Sequence, residues 1–301
     1  MLYEKMAEPR DDAQSGSSNI DHRVSVVIPA YNASQYIAMA IDSVLDQTLK
    51  VDEIIVIDDG STDNTREVVA TYEAKGVRYV HQHNRGSACA RNKGVELASG
   101  RYIAFLDADD FWLPNKINLQ VRTFKENPGL VLVSGDQIFW DQDRSFNKVR
   151  EFSRRQWDAE STKQIIFENI VGNPSMVMVK RSVLQQAGLF DAKIRFGDDW
   201  DMWMRVSEIG KIGFVQEPIS VYRWHKNSIS QSHQRACLAS YRMICRRGIR
   251  RSITPIGRPI AYLKLARHSD SFYYFRTIRR HTISMLRRIF PRIASHDQRA
   301  L

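Results

Sequence analysis

Between Val24 and Leu106 the chain repeats one unit: a short apolar run, a polar turn, then apolar residues at helical spacing. The apolar runs are Val24-Ser25-Val26-Val27-Ile28, Glu53-Ile54-Ile55-Val56-Ile57, Val77 to His81, and Tyr102 to Leu106. Near-continuous apolar strands rich in β-branched residues suit a sheet covered on both faces. The stretches between them predict helices. One carries Ile37, Ala40, Ile41, Val44 and Leu45 and is expected to be capped at Asn32 or Ser34. The next carries Val68, Val69 and Tyr72, with a cap near Thr62 or Asp63, and a third runs from Ser87 to Ala98 and is closed by Gly100. This alternation predicts an α/β fold with a mixed, mostly parallel sheet flanked by helices.

In such sheets ligands bind beyond the carboxyl ends of the strands. Three of those ends are Pro29-Ala30-Tyr31-Asn32, Asp58-Asp59-Gly60-Ser61 and Asp107-Ala108-Asp109-Asp110. Carboxylates crowded at the end of a buried strand repel one another and are costly to desolvate unless something compensates them. A divalent metal shared by an Asp-x-Asp pair, with phosphate oxygens in its open positions, is one compensation. A solvated acidic turn is the other, and the spacing alone leaves both open. The glycine-rich loops that cradle phosphates, Gly-x-Gly-x-x-Gly and Gly-x-x-x-x-Gly-Lys, are absent after the first strand. Phosphate must then be held by metal and side chains.

Residues 111–230 are less regular. They predict helices from Pro114 to about Asn127, Ser161 to Ile170 and Asp198 to Ile209. Strands are expected at Leu130 to Trp140, at Ser175 to Val179 leading into Val183-Leu184, and at Val215 to Trp224. The net charge of +10 is unevenly placed: Arg235 to Leu301 holds 16 Lys and Arg against two acids, Asp270 and Asp297. The expected organisation is a polar tail at 1–22, a domain at 23–234 and a basic helical extension at 235–301. Three cysteines without Cys-x-x-Cys spacing argue against a disulfide framework or a zinc site. No apolar run approaches the roughly 20 residues that span a bilayer.

Six segments, in order, resemble the family-2 inverting glycosyltransferases of the GT-A fold. They are Val24 to Asn32, Ile55 to Asn64, Asn84 to Gly94, Tyr102 to Pro114, Gly197 to Arg205 and Tyr222 to His225. The resemblance covers about residues 23–230 and implies a nucleotide-binding half at 23–110 and an acceptor half at 111–234. It implies a nucleotide-diphospho-sugar donor, a divalent metal (Mn2+ or Mg2+), and transfer with inversion to a hydroxyl of a glycan or lipid-linked acceptor. Cell-surface polysaccharide synthesis is the process it suggests.

Carried over by position, the resemblance makes Asp199 the general base, with Asp198 standing where relatives commonly have glutamate. Pro29, Tyr31, Asn32, Asp58, Asp59, Arg91 and Asp107 are the expected nucleotide-sugar contacts. Tyr31 can stack on a base, and Asp59 can accept from base or ribose. Arg91 can reach a phosphate or pair with a strand-end aspartate, and both remain open. Asp109, Asp107 and His225 are the expected metal ligands, with Asp110 as scaffold or helix cap. Trp200 and Trp203 read as core more readily than as an acceptor platform.

A sugar nucleotidyltransferase would need a glycine-rich, Lys/Arg-bearing loop after the first strand, and Pro29-Ala30-Tyr31-Asn32 is not one. A catalytically silent sugar-nucleotide-binding module is disfavoured by the intact Asp59, Asp109 and Asp199. In the tail, helical spacing puts Phe275, Ile278, Met285, Leu286, Ile289 and Ile293 on one arc, with arginines outside it. This suits either an in-plane helix over 272–293 on an anionic membrane surface or packing on the domain. Nucleic acid is not an expected partner. The expected location is the cytoplasm, at the inner face of the cell membrane if the tail binds it.

Overall fold

The structure is a computed structural model that describes residues 22–141, 146–150, 158–225, 234–252 and 261. The chain divides into two compact units, Met1–Tyr241 and Arg242–Leu301. In the first unit, strands β1 (Val24–Ala30), β2 (Glu53–Asp58), β3 (Val77–His81) and β4 (Tyr102–Phe105) alternate with helices α1 (Ile37–Leu45), α2 (Thr65–Ala70) and α3 (Ser87–Leu97). Strand β5 (Phe111–Trp112), helix α4 (Lys116–Glu126) and strands β6 (Leu130–Asp141) and β7 (Phe146–Arg150) follow. Then come α5 (Ala159–Gln164), β8 (Met178–Lys180), α6 (Arg181–Gln186), α7 (Asp198–Ser207) and β9 (Lys211–Trp224). Helix α8 (Gln234–Ser252) crosses into the second unit, where Ile244, Cys245 and Ile249 are buried.

The strands form one sheet in the order β3-β2-β1-β4-β8-β6-β9-β5, with β7 paired to β6. Strands β1 to β4 are mutually parallel, as their buried runs predicted. Strand β8 then runs antiparallel to both β4 and β6, and β9 runs parallel to β6. The parallel order places the ends of β1, β2 and β4 side by side. Ala30 pairs with Asp58, and the Asp59 amide donates to the Ala30 carbonyl at 2.8 Å.

The two sheet faces are divided by residue parity along β1. Val24, Val26 and Ile28 pack with Ile37, Ala40, Ile41 and Val44 of α1 and with Ile117, Val121 and Phe124 of α4. Each such fully buried Val, Ile or Phe contributes about 1.5–3 kcal/mol. Val27 points to the other face, against α3. A Cβ at Gly94 would lie 2.2 Å from Val27 Cγ1, so only glycine lets the helix come this close.

Element boundaries depart from the sequence reading where local chemistry differs. Helix α1 begins at Ile37 with no side-chain cap, because Asn32 and Ser34 are held by the β2–α2 turn instead. Helix α2 likewise has no side-chain cap; Asp63 accepts from the amide and hydroxyl of Thr65. Helix α5 starts at Ala159, with Asp158 and Ser161 forming a reciprocal capping box. The expected strand at Ser175 to Val179 is a 3-10 turn, Pro174–Met176, followed by the short β8, and Val183 and Leu184 lie on α6. Strand β9 starts earlier, at Lys211. Register shifts opposite β6 accommodate Pro218, which cannot donate to a ladder. The expected tail at 1–22 lies outside the described residues except for His22, and so does the whole stretch 272–293.

Replacing Gly94 by Ala should destabilise the domain by about 1–3 kcal/mol, since α3 must move off β1 to admit the methyl group. A thermal melt showing a Tm unchanged within error would contradict this packing.

Candidate active site

The first strand end is open. Tyr31 is 52% exposed at the rim. Asn32 adopts a left-handed φ of 48°, accepts from the Thr62 amide and donates its own amide to Ser61 Oγ. It therefore ties the β1 end to the turn after β2. Asp58 is buried and accepts from Tyr79 Oη and the Ser61 amide. Asp59 accepts from Gln82 Nε2 (2.7 Å) and from the amides of Arg85 (2.9 Å) and Gly86 (2.7 Å). The Asp58-Asp59 pair thus shapes the loop that leads into α3. Pro29 is half-buried inside β1, in register with Ile57 of β2.

The acidic turn after β4 is not uniformly solvated. Asp110 points inward, accepting from Ser175 Oγ (2.6 Å) and the Arg223 amide (3.1 Å). Its carboxyl is held well above the ordinary range by burial first, then by Asp109 and Asp107. The Ser175 hydroxyl also accepts from the Asp107 amide, so one side chain fixes both ends of the turn. Arg223 donates through Nε to the Asp109 carbonyl, and its guanidinium lies over the rings of Tyr36, Trp140 and Phe111.

Asp109 is left facing out. Its side chain is 36% exposed, and its Oδ2 lies 3.1 Å from Nε2 of His225, whose ring stacks on Tyr36 at 4.8 Å. Residues 109 and 225 are thus brought together from β4 and from the end of β9. Among the described residues no three His, Cys, Asp or Glu side chains are grouped to hold a metal by themselves. An exposed carboxylate beside an imidazole nonetheless fits a divalent cation that takes its other ligands from a diphosphate, as magnesium commonly does.

Arg91 resolves one open alternative. Its Nη2 donates to Asp107 Oδ1 at 2.8 Å and its Nη1 to Asp198 Oδ2 at 2.7 Å. The residue is buried, so it pairs with the strand-end aspartate rather than presenting itself to phosphate. Asp107 is one-quarter exposed, and its carboxyl is raised by burial and by Asp109 against the opposing effect of Arg91.

Asp198 and Asp199 open α7. Asp198 is buried, whereas Asp199 is half-buried with its Oδ2 3.4 Å from Nδ2 of Asn169. Burial, then the neighbouring Asp198 charge, pushes the Asp199 carboxyl up to about 7, against the pull of Arg91. Trp200 and Trp203 are core residues, their indoles donating to the carbonyls of Ile165 and Gly172. Asn169, Ser175 and Arg223 escaped the sequence reading. Each acts through a loop or a backbone contact that leaves no periodic signal.

A carboxyl raised in the folded state binds its proton more tightly there than in the unfolded chain. Stability then falls as pH rises from about 4 through 7, and is regained when the charge is removed. Asp199→Asn should therefore stabilise the protein by about 2 kcal/mol at pH 8 and much less at pH 5. Melts of both proteins across that range check the sign.

Residues 25–188 match the sequence profile of glycosyl transferase family 2. An uncharacterized glycosyltransferase of Rickettsia felis is 35% identical over 206 residues, which is 67% of this chain and 33% of that protein. The chain thus spans about a third of the length of that relative. TuaG of Bacillus subtilis, a glycosyltransferase named for teichuronic acid biosynthesis, is 32% identical over 218 residues, 71% of this chain and 83% of TuaG. Among solved structures, Staphylococcus aureus TarS 1–349 in complex with UDP-GlcNAc superposes with a TM-score of 0.65 at 17% identity, over 83% of this chain and 73% of that one. That likeness is one of fold, and the fold is the GT-A type. With a family profile matched across more than half its length, the chain belongs to glycosyl transferase family 2.

Proposed function

We propose that this protein is an inverting glycosyltransferase that moves a sugar from a nucleotide-diphospho-sugar to a hydroxyl of a glycan or lipid-linked acceptor in cell-surface polysaccharide synthesis. One observation carries the reading. Arg91 hydrogen-bonds Asp107 at the β4 end and Asp198 at the start of α7. The strand end suited to a diphosphate and the half-buried Asp199 are thereby held on one network.

On this reading Tyr31 is the platform for the base, with Asn32, Pro29 and the Asp58-Asp59 turn forming the wall of the nucleotide pocket. Asp107 faces the ribose. Asp109, with His225 beside it and Asp107 turned to Arg91 instead, would hold the divalent cation together with diphosphate oxygens, and the bound cation would neutralise the diphosphate and stabilise charge arriving on the leaving group. Asp199 accepts the proton of the acceptor hydroxyl as its oxygen attacks the anomeric carbon. The nucleotide diphosphate departs from the opposite face, which inverts the anomeric centre. A carboxyl raised to about 7 is a stronger base than an ordinary aspartate and is still ionised in a substantial fraction of molecules at neutral pH.

Two comparisons narrow the choice of substrates to test. TarS is solved with UDP and with UDP-GlcNAc, which makes a uridine diphospho-sugar the first donor to try. The name of TuaG supports a polysaccharide acceptor. A lipid-linked acceptor would give the basic 272–293 segment a purpose at an anionic leaflet. No described helix is long and apolar enough to cross a membrane.

Nucleotide release from UDP-, GDP- and dTDP-sugars with manganese tests the reaction class, and the absence of release from every donor would refute it. Asp109→Asn should weaken manganese-dependent UDP binding by about 10-fold or more in calorimetry. Asp199→Asn should keep donor binding and lower turnover by about 100-fold or more. Wild-type turnover should fall as pH drops through about 7, since protonated Asp199 cannot accept. Sedimentation with anionic liposomes, before and after deletion of 272–301, tests the membrane contact.

A further inference from the structure

We infer that Arg91 is a positioning residue that locks the base-bearing helix α7 to the donor-binding end of β4, and that it does so through Asp198. This rests on the glycosyltransferase reading and gives Asp198 a role that reading lacks.

The geometry ties Arg91 to both elements at once. Both terminal nitrogens are committed to carboxylates, at 2.7 Å and 2.8 Å. Its Nε is buried without a hydrogen-bond partner, and its guanidinium carbon sits 5.6 Å from the Phe190 ring centre.

The neighbours of Arg91 serve the same joint. Asn92 pairs with the Phe190 backbone in both directions, its amide donating to the carbonyl and its carbonyl accepting from the amide, each at 2.8 Å. Phe190 meets Phe105 of β4 and Trp203 of α7 edge-on. A charged clasp and an aromatic wedge thus join the same two elements, with α3 set hard against β1 at Gly94 as their common base.

Electrostatics requires the clasp. Asp107, Asp198 and Asp199 converge from β4 and α7, and Arg91 on α3 is the cation that acts on all three. Around Asp199 the groups that matter are Asp198 and the Trp200 amide on its own helix, Arg91 on α3, Asp107 after β4 and Asn169 after α5. Without the guanidinium the carboxylates would repel, and α7 would swing the base away from the attacked carbon. An error of about 1 Å in such a placement can cost about 100-fold in rate. Asp198 suits this task as an aspartate: buried and bonded to Arg91, it fixes the first turn of α7 while Asp199 beside it stays accessible.

The test is a double-mutant cycle in the full chain with Arg91→Lys, Asp198→Asn and both together. It reads UDP affinity with manganese and turnover of the donor identified by release. Asp198→Asn should keep UDP affinity within about threefold and lower turnover by about 10-fold or more, and Arg91→Lys should lower turnover at least as much. The double variant should be no slower than the slower single one, because both break the same link. A merely structural role would lower the folded fraction and leave turnover per folded molecule unchanged, and that result overturns the inference. So would an Arg91→Lys protein that loses UDP binding about 100-fold while the remaining complex turns over normally, since Arg91 would then be a phosphate ligand. If Arg91→Lys does not fold, Asp198→Asn alone decides on the same two readouts. Failure of the wild type to release nucleotide from any donor would instead defeat the glycosyltransferase reading, which separates the two failures.

Discussion

Desolvating several carboxylates in one place is the constraint to which this structure answers. Charges of one sign cannot be gathered at the edge of an apolar sheet without donors or cations arranged around each of them. The fold supplies a partner for most of these aspartates. Asp58 takes a tyrosine hydroxyl, Asp59 the amides of its neighbouring loop, Asp110 a serine hydroxyl and the Arg223 amide, and Asp107 and Asp198 share Arg91. Asp199 receives a long contact from Asn169 and the Trp200 amide but no cation bonded to it, and Asp109 faces an imidazole and solvent. The two least satisfied carboxylates are those to which the proposed chemistry assigns a substrate proton and a metal. A protein that fully satisfied them would be more stable and less able to act.

Much of the first half of the fold was legible because buried parallel strands announce themselves. Val26-Val27-Ile28 and Ile54-Ile55-Val56-Ile57 have no polar interruption, and Pro29, Gly76 and Gly100 punctuate what lies between. The acceptor half was harder to read for physical reasons. Strand β8 has three residues, too few to show a period, and α6 follows it without a turn. Pro218 reads as a breaker, yet a register shift carries β9 past it.

The site divided in the same way. Local motifs marked Asp109, Asp199 and His225, but the bond from Arg91 to Asp198 joins residues 107 apart and has no sequence signature. Spacing alone did not separate the outward Asp109 from the inward Asp110; only the family resemblance made the first a ligand and the second scaffold. Their difference depends on Ser175 and Arg223 arriving from distant segments. Periodicity reports which residues are covered, not what covers them.

The sheet order carries a consequence for how the chain is made. Strand β4 is flanked by β1 on one side and by β8 on the other, and Ala104 finds its antiparallel partner only at Met178. As the polypeptide leaves the ribosome, the first half can fold well before that partner exists. Until then the Tyr102–Phe105 strand, wholly apolar, presents an open hydrogen-bonding edge to its surroundings. Such an edge recruits other chains as readily as its own, so the hazardous interval in this protein's synthesis falls between those two strands.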